Sequence, residues 1–347
     1  MVDSSSQPME AGFELGAFNV VHLRNQLSDW LAQLLLSLLG HSDSEGPHGL
    51  ARWRQRSLPV VADLQLALLL ALLLPALRWA LECTVFDSAA RSALARQRPP
   101  ASRVGQERAQ LAVTKYKESA WRCCFYGAVW LYGLTVTLAE GWPGRDTRAL
   151  WDGWPHHTVT YGVKVFYMLE LSYYLFGIYA VGASFVAPAH AWEVRRKDSL
   201  VMLTHHLATT LLLAYSYLHG FVRIGALVLL AHDLSDVLLE GAKLAKYAGR
   251  ELAASLTFAA FALSFFALRL VYYPAVLIYS ASFEAPALVG PLLTWPMTLV
   301  FYYVFNTALL LVLVLHCYWF LLILRIAAKQ IASGGKVDDV RSDSDDD

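Results

Sequence analysis

Two stretches of this 347-residue chain carry chemistry-bearing residues at a spacing that brings them together. The first holds the adjacent pair His205-His206, with Thr209 and Thr210 a turn later and Ser216-Tyr217 beyond. The second holds His232-Asp233, Asp236 and Glu240, ending at Lys243. With about 3.6 residues per helical turn, His232, Asp236 and Glu240 recur on one face, and Asp233 lies three before Asp236. His205 shares a face with Thr209, and His206 with Thr210. A tight turn is expected at His219-Gly220, which would make the two helices antiparallel neighbours whose facing stripes wall a polar cavity. An imidazole there can act as general base or as nucleophile toward an activated acyl group. A carboxylate opposite it can orient the ring and stabilise its cationic form. The constellation therefore suits acyl transfer, with the protonation states left open.

Metal chemistry fits less well. Membrane di-iron enzymes need many histidines in His-x-x-His-His-type boxes, and the pair His205-His206 is preceded at position 202 by Met202 instead. A catalytic zinc wants three protein ligands with an open position. His205, His206 and an aspartate supply that number, but adjacent helix residues diverge by roughly 100°. No metal and no cofactor are expected. His190 and His316 stand alone, and each is read as hydrogen-bonding to a neighbouring helix.

The elements that must position these residues are membrane helices. Hydrophobic residues make up 56% of the chain and charged ones 16%, with a mean hydropathy of +0.42; soluble domains carry about a quarter charged residues. Seven segments approach the roughly 20 apolar residues that a crossing requires: 62–86, 119–139, 161–187, 200–218, 221–240, 253–280 and 298–324. The fourth and fifth hold the polar stripes, and a charge at the bilayer centre costs about 2.5–3.5 kcal/mol on insertion scales. Nothing about crossing a membrane requires them. The expected fold is all-α and polytopic, a first transmembrane helix at 58–88 followed by a membrane domain at 110–325. The loops after the odd-numbered spans hold Arg91, Arg96, Arg98, Arg103, Arg108, Lys115, Lys117, Arg195, Arg196, Lys197, Lys243, Lys246 and Arg250. Those after the even-numbered spans hold Arg145, Arg148 and Arg223. That bias puts the first set, and the C-terminus, in the cytosol; Arg52, Arg54 and Arg56 run against it.

Residues 1–57 form a polar N-terminal region, lumenal or interfacial, with an amphipathic stretch from Phe18 to Leu39 that suits a helix lying in the interface. Residues 326–347 form an acidic cytosolic tail in which Ser342 and Ser344 precede acidic residues and suit an acidophilic kinase. The four cysteines, Cys83, Cys123, Cys124 and Cys317, have no zinc or disulfide spacing and are read as small core or lipid-facing residues. Zero formal net charge gives no sign of a nucleic-acid partner.

At the polar residues the sequence resembles the longevity-assurance ceramide synthases, of the TLC membrane-domain family. The resemblance runs from His205-His206 and Thr209 through Ser216-Tyr217 and Arg223-Ile224-Gly225 to His232-Asp233, Asp236, Glu240, Lys243, Lys246 and Tyr247. Lys115-Tyr116-Lys117-Glu118-Ser119-Ala120-Trp121, Arg195-Arg196-Lys197-Asp198 and Tyr302-Tyr303-Val304-Phe305-Asn306 agree on the flanks. The first cytosolic loop, about 30 residues, is too short for the homeobox-like insert of many animal members, and the tail resembles the plant-type branch. The resemblance implies six helices in a bundle or barrel around a central cavity, in the endoplasmic reticulum. It implies joining a fatty acyl-CoA, as co-substrate, to the amine of a sphingoid base such as sphinganine or phytosphingosine. His205 and His206 would be the catalytic pair and Asp233 and Asp236 the acids, with His232, Thr209, Arg223 and Glu240 in support; the acyl group would pass through His205, or the pair would act as base. Arg195, Arg196, Lys197, Lys243 and Lys246 would meet the CoA phosphates or serve only as topology-setting charges, and Asn306 is a further candidate for substrate contact. The loop 281–297 is a candidate for influencing acyl length. Membrane lipids are expected partners, and a homodimer is open. Two other classes remain for comparison: a non-enzymatic TLC protein that binds or organises lipids, and a proton-coupled transporter, though the inverted repeats of the latter are not evident.

Overall fold

The computed structural model describes residues 56–94, 102–144, 146–186, 193–290 and 300–332. The expectations for Phe18–Leu39, His190, Ser342 and Ser344 lie outside these residues. Among the described residues seven long helices follow one another: α1 (Val61–Leu94), α2 (Arg103–Glu140), α3 (Tyr161–Val186), α4 (Ser199–Leu218), α5 (Val222–Tyr247), α6 (Glu251–Val289) and α7 (Tyr302–Ala332). Each of the seven apolar segments falls on one of them. A two-residue antiparallel pair, β1 (Arg56–Ser57) and β2 (Val159–Thr160), sets Arg56 opposite Thr160.

Five helices, α1, α2, α3, α6 and α7, are long and apolar enough to cross a membrane. Their outward faces carry bare apolar side chains such as Leu72, Leu263 and Val314, which only lipid tolerates in such number. Helices α4 and α5, at 20 and 26 residues, rise about 30 and 39 Å but fall short in apolarity. The two imidazoles dilute α4, and Asp233, Asp236, Glu240 and Lys243 dilute α5.

Local signals explain the boundaries. The Ser102 hydroxyl accepts from the Gly105 N–H at 3.1 Å and caps α2. Gly220, at φ 78°, makes the turn between α4 and α5 in a conformation that L side chains rarely adopt. Around Pro274, whose nitrogen cannot donate, α6 widens to π-helical winding over Phe266–Ile278. Helix α6 also continues to Val289, so the first half of the expected 281–297 loop is helical.

Packing order departs from chain order. Helix α2 lies against α3 and α5, α5 against α6, α6 against α7, α7 against α4, and α4 against α3. Helices α4 and α5, expected side by side, share few contacts although one turn joins them. Their polar faces seek the interior from different sides, while their flanks pack on α3 and α7 and on α2 and α6. Helix α1 packs on α3. Its start is pinned by Asp63, whose Oδ2 accepts from Lys164 Nζ at 2.8 Å and Tyr217 Oη at 2.6 Å.

Candidate active site

Both imidazoles of the adjacent pair are buried, His205 at 8% exposure and His206 at 6%. Tyr174 of α3 packs against both, with ring centroids 5.9 and 5.5 Å away. Gly177, one turn further along α3, lets His206 in: a Cβ there would collide with the imidazole. His205 Nδ1 faces Thr209 Oγ1 at 3.4 Å, and Trp319 of α7 meets its ring edge-to-face, 5.2 Å between centroids at 90°.

The acids divide between different partners. Asp236 Oδ2 pairs with Arg269 Nη2 of α6 at 2.7 Å, and the same nitrogen donates to the His232 carbonyl. Asp233, fully buried, stands within hydrogen-bonding reach of Glu170 of α3, also fully buried. Among the described residues neither carboxyl receives a donor. Among the described residues no carboxylate hydrogen-bonds to His205, so the expected His205–Asp pairing gives way to a threonine contact. Asp236 is taken by Arg269, and Asp233 lines neither of the cavities beside the histidines.

His232 Nδ1 lies 2.6 Å from the Val228 carbonyl and Nε2 lies 2.9 Å from Nε2 of His316. A carbonyl can only accept, so His232 carries its proton on Nδ1 and His316 donates from Nε2. His316, read from the sequence as bonding to a neighbouring helix, does so.

Two cavities meet at these residues. The first, about 110 Å³, is lined by His205, His206, Asp236, Glu240, Arg269 and Trp319, with Arg196 and Lys243 towards the end where α5 finishes. The second, about 50 Å³, is nearly all apolar, lined by Leu213, Val228, Leu277, Leu309 and Val312 with Thr209 and His232. Tyr174 borders both. The two expected stripes divide between the cavities, with His205, His206, Asp236 and Glu240 on the first and Thr209 and His232 on the second, and they come from helices that are not packed side by side. Among the described residues no three of His, Cys, Asp or Glu converge as metal ligands.

At the Lys243 end of the first cavity the cations are already engaged. Arg196 pairs with buried Glu118, and Arg122 bridges Glu118 at 2.7 Å and Glu193 at 2.8 Å. Lys243 holds Glu240 at 2.8 Å. Arg195 lies over the Phe185 ring at 5.0 Å, Lys197 is exposed and Lys246 half-buried.

Asp233, expected as a catalytic acid, lines neither cavity, and the same holds for Arg223, Asn306, Arg195, Lys197 and Lys246. Arg223 points from the first turn of α5 to the carbonyls of Ala149 and Asp152, 3.3 Å from each, and fastens a loop rather than supporting the His pair. Asn306 accepts from Ser282 at 2.8 Å and donates to the Tyr302 carbonyl at 2.8 Å, lining neither cavity; it ties α7 to α6. Sequence reasoning passed over Glu170, Arg269, Trp319 and Tyr174. For the first two the signal existed, a lone charge inside an apolar run; for the aromatics it did not.

A family model described as the TLC domain matches residues 115–325. ASC1-like protein 3 of Oryza sativa subsp. japonica is 43% identical over 238 residues, covering 68% of this chain and 80% of its own. Ceramide synthase LOH2 of Arabidopsis thaliana is 42% identical over 236 residues, covering 68% and 76%. Ceramide synthase LOH1 of the same plant is 37% identical over 311 residues, covering 85% and 95%. With the domain match spanning the cavities and these identities running through most of each relative, the chain belongs to the TLC-domain family and, within it, to the plant-type ceramide synthases.

Proposed function

We propose that the chain is a sphingoid-base N-acyltransferase, joining the acyl group of a fatty acyl-CoA to the amine of a long-chain base such as sphinganine or phytosphingosine. The observation that carries this reading is the buried His205-His206 pair on a cavity whose wall mixes charged and apolar side chains and that adjoins a second, apolar one, in a chain whose relatives bear the name ceramide synthase. An acyl thioester needs both environments, a reactive polar centre and an apolar slot for its tail.

His205 is the nucleophile of choice. With Nδ1–H donating to Thr209 Oγ1, the Nε2 lone pair attacks the thioester carbon. The C–S bond breaks with its electron pair on sulfur, and the acyl group rests on a cationic imidazole. The neutral amine then attacks, the bond to Nε2 breaks with its electrons returning to the ring, and the amine proton passes to the CoA thiolate. Asp236, held by Arg269, supplies a negative charge on the same cavity. The CoA phosphates dock at the Lys243 end, where Arg195 and Lys197 are not committed to the buried ion pairs.

All seven helices cross the membrane of the endoplasmic reticulum, and α2 to α7 close a barrel around the chamber, with the C-terminus in the cytosol. The order of neighbours α2–α3–α4–α7–α6–α5–α2 supports the barrel, and the loop charges support the orientation. Purified protein given labelled acyl-CoA and sphinganine is expected to make ceramide, and His205→Ala to make none. A parent without ceramide formation over a series of acyl lengths would defeat the reading. Mixing with acyl-CoA alone, over a single turnover, is expected to leave the label on His205. A fully active enzyme that never holds the label would reassign the pair to base catalysis.

A further inference from the structure

Trp319 sits between two groups that the acyl-transfer chemistry does not otherwise connect. Its indole ring meets His205 edge-to-face at 5.2 Å and 90°. Its Nε1–H donates to Asp198 Oδ2 at 3.3 Å. Asp198 is 2% exposed and Trp319 7%. The carboxylate stands immediately before α4, the helix that carries His205 two turns on, whereas Trp319 belongs to α7. The indole therefore spans from the head of α4 back to a ring on the same helix, braced from outside it.

From this geometry we infer that Trp319, oriented by Asp198, is the positioning residue that fixes the plane of the His205 imidazole for attack on the acyl group. The inference rests on the acyltransferase reading. A nucleophilic ring needs its lone pair aimed at the carbonyl carbon, and an error of about 1 Å costs on the order of 100-fold in rate. Thr209 constrains one ring nitrogen but, through a single contact at 3.4 Å, leaves the ring free to swing about that axis. Tyr174 closes one side and Trp319 another. A bare apolar wall would give packing alone. The buried hydrogen bond to Asp198 specifies one indole orientation.

The test is a set of variants at two positions. Trp319→Ala is expected to lower kcat about 100-fold with KM for acyl-CoA held within about threefold, because orientation is lost and binding is not. Trp319→Phe keeps the ring and loses the N–H, and Asp198→Ala leaves the indole without its acceptor. Each is expected to cost about tenfold in kcat, and the double variant no more than either, since both cut one link. Asp198→Asn keeps an acceptor oxygen and restores near-parent kcat. A parent-like kcat in Trp319→Ala, or additive losses in the double variant, would overturn the inference. Should Trp319→Ala fail to fold, the Phe and Ala pair alone decides. A parent that makes no ceramide strikes the acyltransferase reading, not this one. The arbiter is then carbethoxylation of His205, followed by peptide mass spectrometry. Its rate is expected to change at least about threefold in Trp319→Ala and to stay near parent in Asp198→Asn; equal rates in parent and Trp319→Ala would overturn the inference.

Discussion

Arg269 Nη2 stands 2.7 Å from Asp236 Oδ2, binding an acid of the family motif to a helix that the motif does not include. Arg269 is buried, at 5% side-chain exposure, and Asp236 half-buried, at 24%; the guanidinium also lies over the Phe265 ring at 4.8 Å. Removing one partner of a buried ion pair leaves the other uncompensated, at about 3–5 kcal/mol in soluble proteins. Arg269→Met is therefore expected to lower thermal stability in detergent strongly, while Arg269→Lys recovers part of it. Ceramide formation should fall in the same order. A melting temperature in Arg269→Met equal to that of the parent would show that Asp236 does not need its partner.

Glu170 and Asp233 bring four carboxyl oxygens together at zero exposure, with no donor among the described residues. Two ionised carboxylates cannot share such a place, so at least one proton must lie between them. Glu170→Gln supplies an amide N–H in place of that proton and is expected to keep the fold. Glu170→Ala leaves Asp233 without a partner and should unfold at a lower temperature. Infrared spectroscopy at neutral pH should detect the carbonyl stretch of a protonated carboxyl in the parent, diminished in Glu170→Gln. Its absence from the parent would mean that some other group neutralises the pair.

How much of this was legible beforehand varies by residue. The helices were, because an apolar run of membrane length has few alternatives. The reactive face of α5 was also readable, since 3.6-residue phase alone places His232, Asp236 and Glu240 together. The partners were not. The tight turn at Gly220 argued for α4 beside α5, yet chain order says nothing about which flanks pack, and those flanks chose α3 and α7 for one and α2 and α6 for the other. Consequently His205 met Trp319, beyond the Thr209 that its own helix already supplied, and Asp236 met Arg269. The rule that flagged spans four and five also covers Glu170 and Arg269, each a charge in an apolar run. Applied evenly along the chain, it would have found both. Arg223 and Asn306 erred the other way: polar residues within or beside the motif have work to do in holding loops and helices together.

His157 supplies a pH dependence outside the membrane helices. Its ring is buried between two backbone carbonyls, with Nδ1 3.1 Å from that of Gly220 and Nε2 2.7 Å from that of Asp152. Burial pushes its pKa below the ordinary imidazole value, and the Arg223 guanidinium adds to the effect, while the two carbonyls pull the other way. A depressed value means that the unfolded chain binds the proton more readily. Stability from this residue is then fully present above the unfolded value, about 6.5, and is lost as pH falls towards the folded one. Melting curves of parent and His157→Gln, taken from pH 7.5 downwards, are expected to converge below about pH 6.5. A gap that widens on acidification would reverse the sign.

Arg196 is held by Glu118, which is 1% exposed and also receives Arg122 at 2.7 Å and the Val194 N–H at 3.3 Å. Its loss should therefore act on the fold before it acts on a ligand. Arg196→Gln is expected to reduce stability and kcat together. Lys197→Glu, at an exposed position, should leave the melting temperature near parent and raise KM for acyl-CoA a few-fold, more at low salt than at high. If Lys197→Glu leaves KM unchanged at low ionic strength, the CoA phosphates bind elsewhere.

The apolar cavity beyond Thr209 bears on acyl length. At about 50 Å³ it is small beside a long acyl chain, so its walls must yield or its volume must limit what enters. Val228 and Leu213 line it from α5 and α4, each about one turn from a residue of the reactive faces, His232 on the one and Thr209 on the other. A larger side chain at either position would fill the slot on the side away from His205, which lines the other cavity. Val228→Phe is expected to shift the preferred acyl-CoA to shorter chains, with kcat on the shortest accepted substrate near parent. Val228→Ala should shift it the other way, since removing two methyl groups opens the wall. The measurement is competition among acyl-CoAs of graded length in one reaction, with ceramides resolved by mass. A uniform loss across all lengths in Val228→Phe would mean that the cavity is packing space and that the tail runs by another route, such as between α6 and α7.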